Sequence, residues 1–454
     1  MTGMLLRWIM ELPGAIESHS WLWYFKAMSR KVKVKIESVA FGGYGVARVD
    51  GKVIFIPYTL AGDEAWVEIT GEKKNYSLGR LKEILSSSPW RVDPPCSYFG
   101  LCGGCHWQQI RYDIQGELKK EILKEILKRL GGWREIPPIS VLPSPDPFGY
   151  RARVQLKSGG GSLGFYQERS HRIIDIEGCP VSHPLINETI QTLRKEKTLF
   201  EEFGEIEINI SPEEKRGILI LPYHPRYRRT EERLKIFLQV NPIIKGFALK
   251  GKKKWLSFGN PHLNFALFLK NLKRKEPLRL RTSPESFFQV NLNQNQKLID
   301  TVVEFSGGGE NEKILDLYAG VGNLTLPLAI HAGEVWGIEE NRAAVEDATF
   351  NAERNGIRNA RFIEGKVEEV LKDWKRGRPD QMILDPPRAG CRKVVDQMVR
   401  LEPEKIVYVS CEPTTLSRDL RLFSKRGYHL QKLCLIDMFP QTYHMEVVGL
   451  LTRG

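Results

Sequence analysis

The sequence predicts an α/β protein in three parts: a small N-terminal β-barrel, a central α+β domain with a cysteine cluster, and a C-terminal doubly wound parallel sheet. Three observations carry this. Residues 31–90 hold short β-rich runs broken by Gly42-Gly43, Asp50-Gly51 and Gly62-Asp63, all good turn formers. Residues 91–281 are of mixed pattern and contain four of the seven cysteines. From 282 to 454, apolar strands and helices alternate at the rhythm of βα units. A chain of 454 residues also exceeds one ordinary core, and 41% hydrophobic with 27% charged residues is the make-up of a folded protein.

Residues 1–30 contain apolar stretches, but Glu11 and Glu17 interrupt them and no small-residue cleavage site follows, so a signal peptide is not expected. The expectation is a disordered extension from an upstream start codon, with Met28 the functional start. From Lys31, apolar Val32, Val34 and Ile36 alternate with Lys31, Lys33 and Lys35, a half-buried strand. FGGYGVARVDGKVIFIPYTLAGDEAWVEI continues the strands and KKNYSLGRLKEIL closes them, which predicts a small OB-like barrel. From His106 onward, Ile110, Ile114, Leu118, Ile122, Ile126 and Leu130 recur every four residues until Gly131-Gly132, an amphipathic helix over 106–130. ARVQLK, SLGFYQ and HRIIDI read as sheet strands. The third part runs KILDLYA, a glycine loop, LTLPLAIHA, EVWGIEE, a helix over 342–355, ARFIEG, QMILDPP, KIVYVSCEP and EVVGLLTR. This Rossmann-like order puts ligands at the carboxyl ends of the strands.

Lys+Arg number 68 against 55 Asp+Glu, a net +13, which points to a polyanionic partner, most simply nucleic acid. Between Lys245 and Arg281 lie eleven basic residues and the single acid Glu276. Lys252, Lys253 and Lys254, with Trp255 and Phe258 beside them, are the expected grip on phosphates and bases. No apolar run is long enough for a membrane span, the cysteine usage fits reduced thiols in a cytoplasm, and nothing suggests more than a monomer.

In LDLYAGVGN, Gly320 and Gly322 follow a strand, but the third glycine of a dinucleotide fingerprint is replaced by Thr325. Asp316 before the loop suits an ammonium group, and Glu339 at the end of the next strand suits a ribose diol; both are features of S-adenosylmethionine. Asp385-Pro386-Pro387-Arg388 lies past the strand QMIL, where substrate belongs. Amine methylation favours an aromatic residue after the prolines, and Arg388 argues against it. Cys411 ends the strand KIVYVS. Carbon 5 of uracil is too weak a nucleophile to take a sulfonium methyl unaided, and a thiolate added to carbon 6 makes it an enolate. A base must then remove the carbon-5 proton, and Glu446, with His444 beside it, is the candidate.

SFFQVN, LDLYAGVGN, GIEE, LDPPR, VYVSCEP and DMFPQTYHMEVV, in this order, resemble the motifs of the RNA (uracil-5-)-methyltransferase family. The resemblance runs from Lys31 to the C-terminus, and residues 31–90 resemble a TRAM domain, a small RNA-binding barrel. It implies that residues 282–454 are a methyltransferase domain in which Gln289, Tyr318, Glu339 and Asp385 contact S-adenosylmethionine, with Cys411 as nucleophile and Glu446 as base. Asp316 is not among the contacts it implies. Cys96, Cys102, Cys105 and the later Cys179-Pro180 supply four thiolates that suit tetrahedral zinc or an iron-sulfur cluster. The resemblance implies a 4Fe-4S cluster, whose role would be to shape the RNA-binding surface, since methyl transfer needs no electron. A radical enzyme would need cysteines spaced three then two, whereas the first gap here is five. The cluster favours 23S rRNA as substrate. The alternatives are the T-loop uridine of tRNA, or a non-catalytic RNA-binding assembly factor, which loss of Cys411 or Glu446 would have signalled.

Overall fold

The computed structural model describes residues 30–223, 230–251, 255–269 and 276–454. Residues 1–29, Lys252–Lys254 and the basic run 270–275 lie outside them, so the expected N-terminal extension and most of the expected phosphate grip are not described. The chain forms two compact units. One holds the residues up to Gly100 with Cys105–Ile136 and Gln441–His444; the other holds Leu101–Gly104, Pro137–Pro440 and Met445–Gly454.

In the first unit, β1 (Lys31–Lys35), β2 (Ser38–Ala40), β3 (Tyr44–Val49), β4 (Lys52–Pro57), β5 (Glu64–Glu72) and β6 (Tyr76–Ser86) form a six-stranded sheet in the order β1-β5-β6-β4-β3-β2. The alternating residues turn Val34, Ile36, Ala47, Ile54, Ile56, Ala65 and Val67 into one core. Gly79 is required there, because a Cβ would stand 2.5 Å from Val67. Asp63 is more than a turn former. Its buried carboxylate accepts from the Leu60 and Ser88 amides at 2.9 and 3.0 Å and from the Arg91 guanidinium, tying the end of the last strand to the turn before β5.

Helix α1 (Tyr112–Ile126) begins six residues after His106, where the periodicity had placed its start. The His106 and Trp107 amides donate to the Gln441 carbonyl instead of entering a helix. Its buried face is Gln115, Lys119, Ile122, Leu123 and Ile126, rotated from the apolar stripe. Gln115 exchanges hydrogen bonds with Gln441 in both directions at 3.0 Å, which satisfies both polar groups inside the core.

The second unit begins with β7 (Ile139–Leu142), β8 (Arg153–Gly159), β9 (Ser162–Tyr166), β10 (Ile173–Asp175), α2 (Pro184–Lys195), α3 (Lys197–Phe200), β11 (Glu205–Ser211), β12 (Arg216–Pro222), α4 (Thr230–Val240), β13 (Ile244–Lys250) and β14 (Trp255–Gly259). Strands β8 to β14 make a seven-stranded sheet in the order β10-β9-β8-β11-β12-β13-β14. The hairpin of β15 (Leu263–Leu267) and β16 (Leu278–Thr282) follows.

The remaining elements are α5 (Leu292–Ser306), β17 (Lys313–Leu317), α6 (Thr325–Ala329), β18 (Glu334–Glu339), α7 (Arg342–Arg354), β19 (Ala360–Glu364), α8 (Val367–Lys372), β20 (Gln381–Leu384), α9 (Val395–Arg400), β21 (Lys405–Ser410), α10 (Pro413–Ser424), β22 (Tyr428–Ile436) and β23 (Glu446–Arg453). They build an eight-stranded sheet ordered β19-β18-β17-β20-β21-β23-β22-β7. Strands β17 to β21 are parallel, and β23 is antiparallel to both its neighbours. The Rossmann-like expectation holds, and β7, from far upstream, joins the edge beside β22.

Helix α7 carries a polar ladder on its buried face. Asn351 accepts from the Arg281 amide at 2.7 Å and donates to the Arg281 and Val321 carbonyls at 3.0 and 3.1 Å. Asn355 treats Arg279 likewise, and Asp347 accepts from Arg281 Nε, the Ser283 amide and hydroxyl, and the Ser286 hydroxyl. Residues spaced by four on one helix thus stand in for a strand along β16. Asn351→Leu leaves three buried backbone groups without partners, so we expect a loss of about 2–4 kcal/mol, read as a lower denaturant midpoint at unchanged slope.

Candidate active site

The strand ends of the parallel sheet converge on a cavity of about 310 Å³. Gln289, Asn295, Asp316, Tyr318, Asn323 and Asp385 supply its polar wall, and Phe265, Leu280 and Phe288 part of its apolar wall. Gly320 and Gly322 take φ of +55° and +85°, a region glycine enters at no steric cost. Asn295 and Asn323 face each other across reciprocal 2.9 Å amide bonds. Sequence reasoning missed both, because an asparagine on a helix or loop carries no pattern of its own.

Gln289, Tyr318 and Asp385, three of the four residues expected to contact the cofactor, line this cavity together. Glu339 does not line it. Its carboxylate accepts from the Gly320 amide at 3.0 Å and the Asn341 amide at 2.8 Å, and so braces the glycine loop. Asp316 lines the cavity and is only 1% exposed. One of its oxygens accepts the Thr325 hydroxyl at 2.5 Å, so the residue replacing the third glycine has its own task; the other has no partner. Burial pushes Asp316 up to about 7, opposed by Thr325 and assisted by Asp385 and Glu339.

Next along the sheet lies the reactive constellation. The antiparallel register pairs Ser410 with Val447, so the following residue, Cys411, falls opposite Glu446. Glu446 is 2% exposed. Burial, then Asp385, holds its carboxyl far above the usual range, while Arg388 opposes. Asp385 keeps some surface open to the cavity, yet burial pushes it up to about 7. The Cys411 thiol is pushed up to about 12, by burial first and then by Glu446 and Asp385; the positive charge of Arg388 pulls the other way. His444 lies in the first unit, its ring centroid 4.2 Å from that of Tyr443.

Cys96 and Cys105 belong to the first unit, Cys102 and Cys179 to the second. All four are half-buried and outside disulfides. Cys102 Sγ accepts from the Gly104 amide at 3.4 Å, and the Asn187 side chain holds Cys179 by accepting from its amide and donating to its carbonyl. Among the described residues, no three His, Cys, Asp or Glu side chains are arranged as ligands for a metal. The donor chemistry, all sulfur with an N–H directed at one thiol, suits an iron-sulfur group.

The basic stretch is less free than its count. Lys245 is held by Glu214, Arg279 by Glu213 and Arg281 by Asp347, acids that lie outside the window of the count. Lys250 stands 5.7 Å over the Trp255 ring and Lys235 5.4 Å over that of Phe258.

The raised Asp316 makes a pH prediction. Its folded state keeps a proton that the unfolded chain releases near pH 4, so it favours unfolding increasingly as pH rises from about 4 to about 7. Asp316→Asn removes that titration and keeps the Thr325 acceptor. Denaturant midpoints of the variant should fall less over that window than those of the parent.

A family model described as tRNA (Uracil-5-)-methyltransferase matches residues 111–454, and a TRAM domain model matches residues 29–82. An uncharacterized RNA methyltransferase of Aquifex aeolicus is 35% identical over 93% of this chain and 98% of its own. The 23S rRNA (uracil(1939)-C(5))-methyltransferase RlmD of Pectobacterium atrosepticum is 33% identical over 93% of this chain and 94% of its own. The crystal structure of the Pyrococcus abyssi tRNA (uracil-54, C5)-methyltransferase with S-adenosyl-L-homocysteine superposes with a TM-score of 0.72 at 26% identity, covering 92% of this chain and 99% of that one. The motifs, the sheet order and these matches agree: the chain belongs to the tRNA (uracil-5-)-methyltransferase family and is an S-adenosylmethionine-dependent RNA methyltransferase with an N-terminal TRAM domain.

Proposed function

We propose that the enzyme methylates carbon 5 of one uridine in 23S rRNA through a covalent adduct between Cys411 and carbon 6. The observation that carries this is the register that sets Cys411 opposite Glu446 at the edge beside the cavity. The rRNA target draws on the relative of that specificity, which matches over nearly its whole length. A T-loop uridine of tRNA is the second reading, favoured by the similarity to the archaeal tRNA enzyme. We place the enzyme in the cytoplasm as a monomer.

S-adenosylmethionine would supply an electrophilic methyl group, with Gln289, Tyr318, Glu339 and Asp385 as its contacts. Cys411 gives its proton to solvent and its sulfur bonds to carbon 6, which moves the ring's electron pair onto carbon 5 as an enolate. Arg388 offsets the negative charge of the thiolate. Carbon 5 then takes the methyl group, and the methyl–sulfur bonding pair stays with the departing S-adenosylhomocysteine sulfur. Glu446, as carboxylate, removes the carbon-5 proton; that electron pair restores the double bond and expels the Cys411 sulfur. Burial keeps Glu446 a strong enough base for a carbon acid once it is ionised.

Cys411→Ala should lower methyl transfer to RNA at least about a thousandfold, and Glu446→Gln should accumulate a protein-RNA adduct that survives denaturing gels, because elimination stalls. Turnover by Cys411→Ala, or free turnover by Glu446→Gln, removes the assigned role.

Cys96, Cys102, Cys105 and Cys179 are the proposed ligands of a 4Fe-4S cluster. Protein purified without oxygen should hold ~4 iron and ~4 acid-labile sulfide per chain. One zinc and no sulfide would overturn this.

A further inference from the structure

A second cavity, of about 210 Å³, lies on the seven-stranded sheet and shares a wall with the cofactor cavity: the Phe287 side chain, 58% exposed, lines both. Strand register sets Gln155 beside Glu207 and Lys250 beside Trp255. Through Ile220 and Ala248 these pairs, with Arg153 and Glu205, fall on one face of the sheet. The opposite face is closed, with Phe247 against Phe237 of α4, ring centroids 6.0 Å apart. The facing wall is the segment 284–287, fixed from the start of α7: Asp347 accepts from the Ser283 amide and the Ser286 hydroxyl, and Asn341 donates to the Glu285 carbonyl at 2.8 Å. Glu207 Oε1 accepts from Arg153 Nε and Asn209 Nδ2, both at 3.0 Å, while its Oε2 accepts from no described residue. Glu205 is spent on Gln155 and Lys157. Lys250, with no acid partner among the described residues, stands over the Trp255 ring. Glu205, Glu207 and Glu285 line the cavity against Arg153 and Lys250, so it does not suit a bare phosphate. It suits a flat ring that donates an N–H.

We propose that this cavity seats a second nucleotide of the substrate RNA, one that flanks the target uridine and whose base carries an exocyclic amino group: adenine, cytosine or guanine. Its ring stacks on Trp255, its amino group donates to Glu207 Oε2, and Lys250 meets its phosphate. Uracil has no amino group, so in this seat it would leave the carboxylate oxygen desolvated and unpaired. The shared Phe287 ring is what makes the nucleotide a flanking one, since a single side chain separates the seat from the cofactor cavity. The inference rests on the reading of the chain as an enzyme that methylates uridine in RNA, and it assigns residues that read the sequence around that uridine.

The test uses the full chain and an unmodified 23S rRNA fragment or tRNA transcript, whichever the parent enzyme methylates, with each nucleotide flanking the target replaced in turn by uridine. One replacement should weaken RNA binding, read by filter retention, about tenfold. Glu207→Gln should weaken binding of the unreplaced transcript by a similar factor and add nothing further on the replaced one, because both changes remove the same contact. Trp255→Ala, on the edge strand β14, should weaken binding of the unreplaced transcript about tenfold and decides the matter if Glu207→Gln fails to fold. Affinity for S-adenosylmethionine should stay at the parent value in both variants, since neither residue lines the cofactor cavity. The proposal is overturned if no flanking replacement weakens binding, if the losses from Glu207→Gln and the replacement multiply, or if folded Trp255→Ala binds RNA like the parent. Failure of the parent enzyme to methylate either RNA would instead overturn the reading beneath it.

Discussion

The pairing of β21 with β23 is the interaction on which the chemistry depends. Strand β21 is parallel to β20, so its carboxyl end arrives beside the cofactor cavity with Cys411 next in line. Strand β23 runs the other way, so its first residue, Glu446, reaches the same edge. The proposed nucleophile and base come from opposite ends of their strands and meet because the register pairs Ser410 with Val447. A slip of one residue would send Glu446 to the other face of the sheet. Buried Ile406, Val407, Tyr408 and Val409 on one strand, with Val447, Val448 and Leu451 on the other, hold against that slip.

The cofactor side is held by polar groups that work on backbone. Asn351 on α7 reaches both β16 and the Val321 carbonyl of the glycine loop, while Glu339 holds the Gly320 amide. Asp347 collects the 281–286 segment that leads to Gln289. The same architecture recurs at the loop after Arg388, where Asp419 on α10 accepts from the Cys391 amide and the Tyr408 hydroxyl. In each case a side-chain carboxylate or amide on a helix or strand fixes a neighbouring loop or segment, which is how a site on loops keeps the precision of the rigid elements beneath it.

Much of this was legible in the sequence. The apolar strands KILDL, QMIL and KIVYVS were recognisable by composition, the glycine loop by its residues, and Cys411 by its place at a strand end. The barrel followed from alternation and turn pairs. Other features had no local signal. His106 and Trp107 sit on a helical periodicity, but their amides are taken by a carbonyl more than 330 residues away in sequence, at Gln441. The ladder of Asp347, Asn351 and Asn355 reads as the solvent face of a helix. Glu339 sits where a ribose ligand is expected, and its oxygens also accept the Gly320 and Asn341 amides. The acids that neutralise Lys245, Arg279 and Arg281 are distant in the chain, so a charge count in a window overstated the free charge. Short-range pattern finds elements; partners that close through space do not appear in it.

The remaining constraint is electrostatic. Burial pushes the Cys411 thiol and the Glu446 and Asp385 carboxyls up, and the charge of Arg388 opposes this at the thiol and at Glu446. The proposed reaction requires the thiol to ionise and then requires a carboxylate, in that order. The most direct measurement is intact-mass and peptide mapping of the enzyme after reaction with S-adenosylmethionine and RNA carrying 5-fluorouridine, whose carbon-5 fluorine cannot be removed as a proton. The account predicts a stable adduct linking methylated fluorouridine to Cys411. Unmodified protein, or an adduct on another residue, would contradict it.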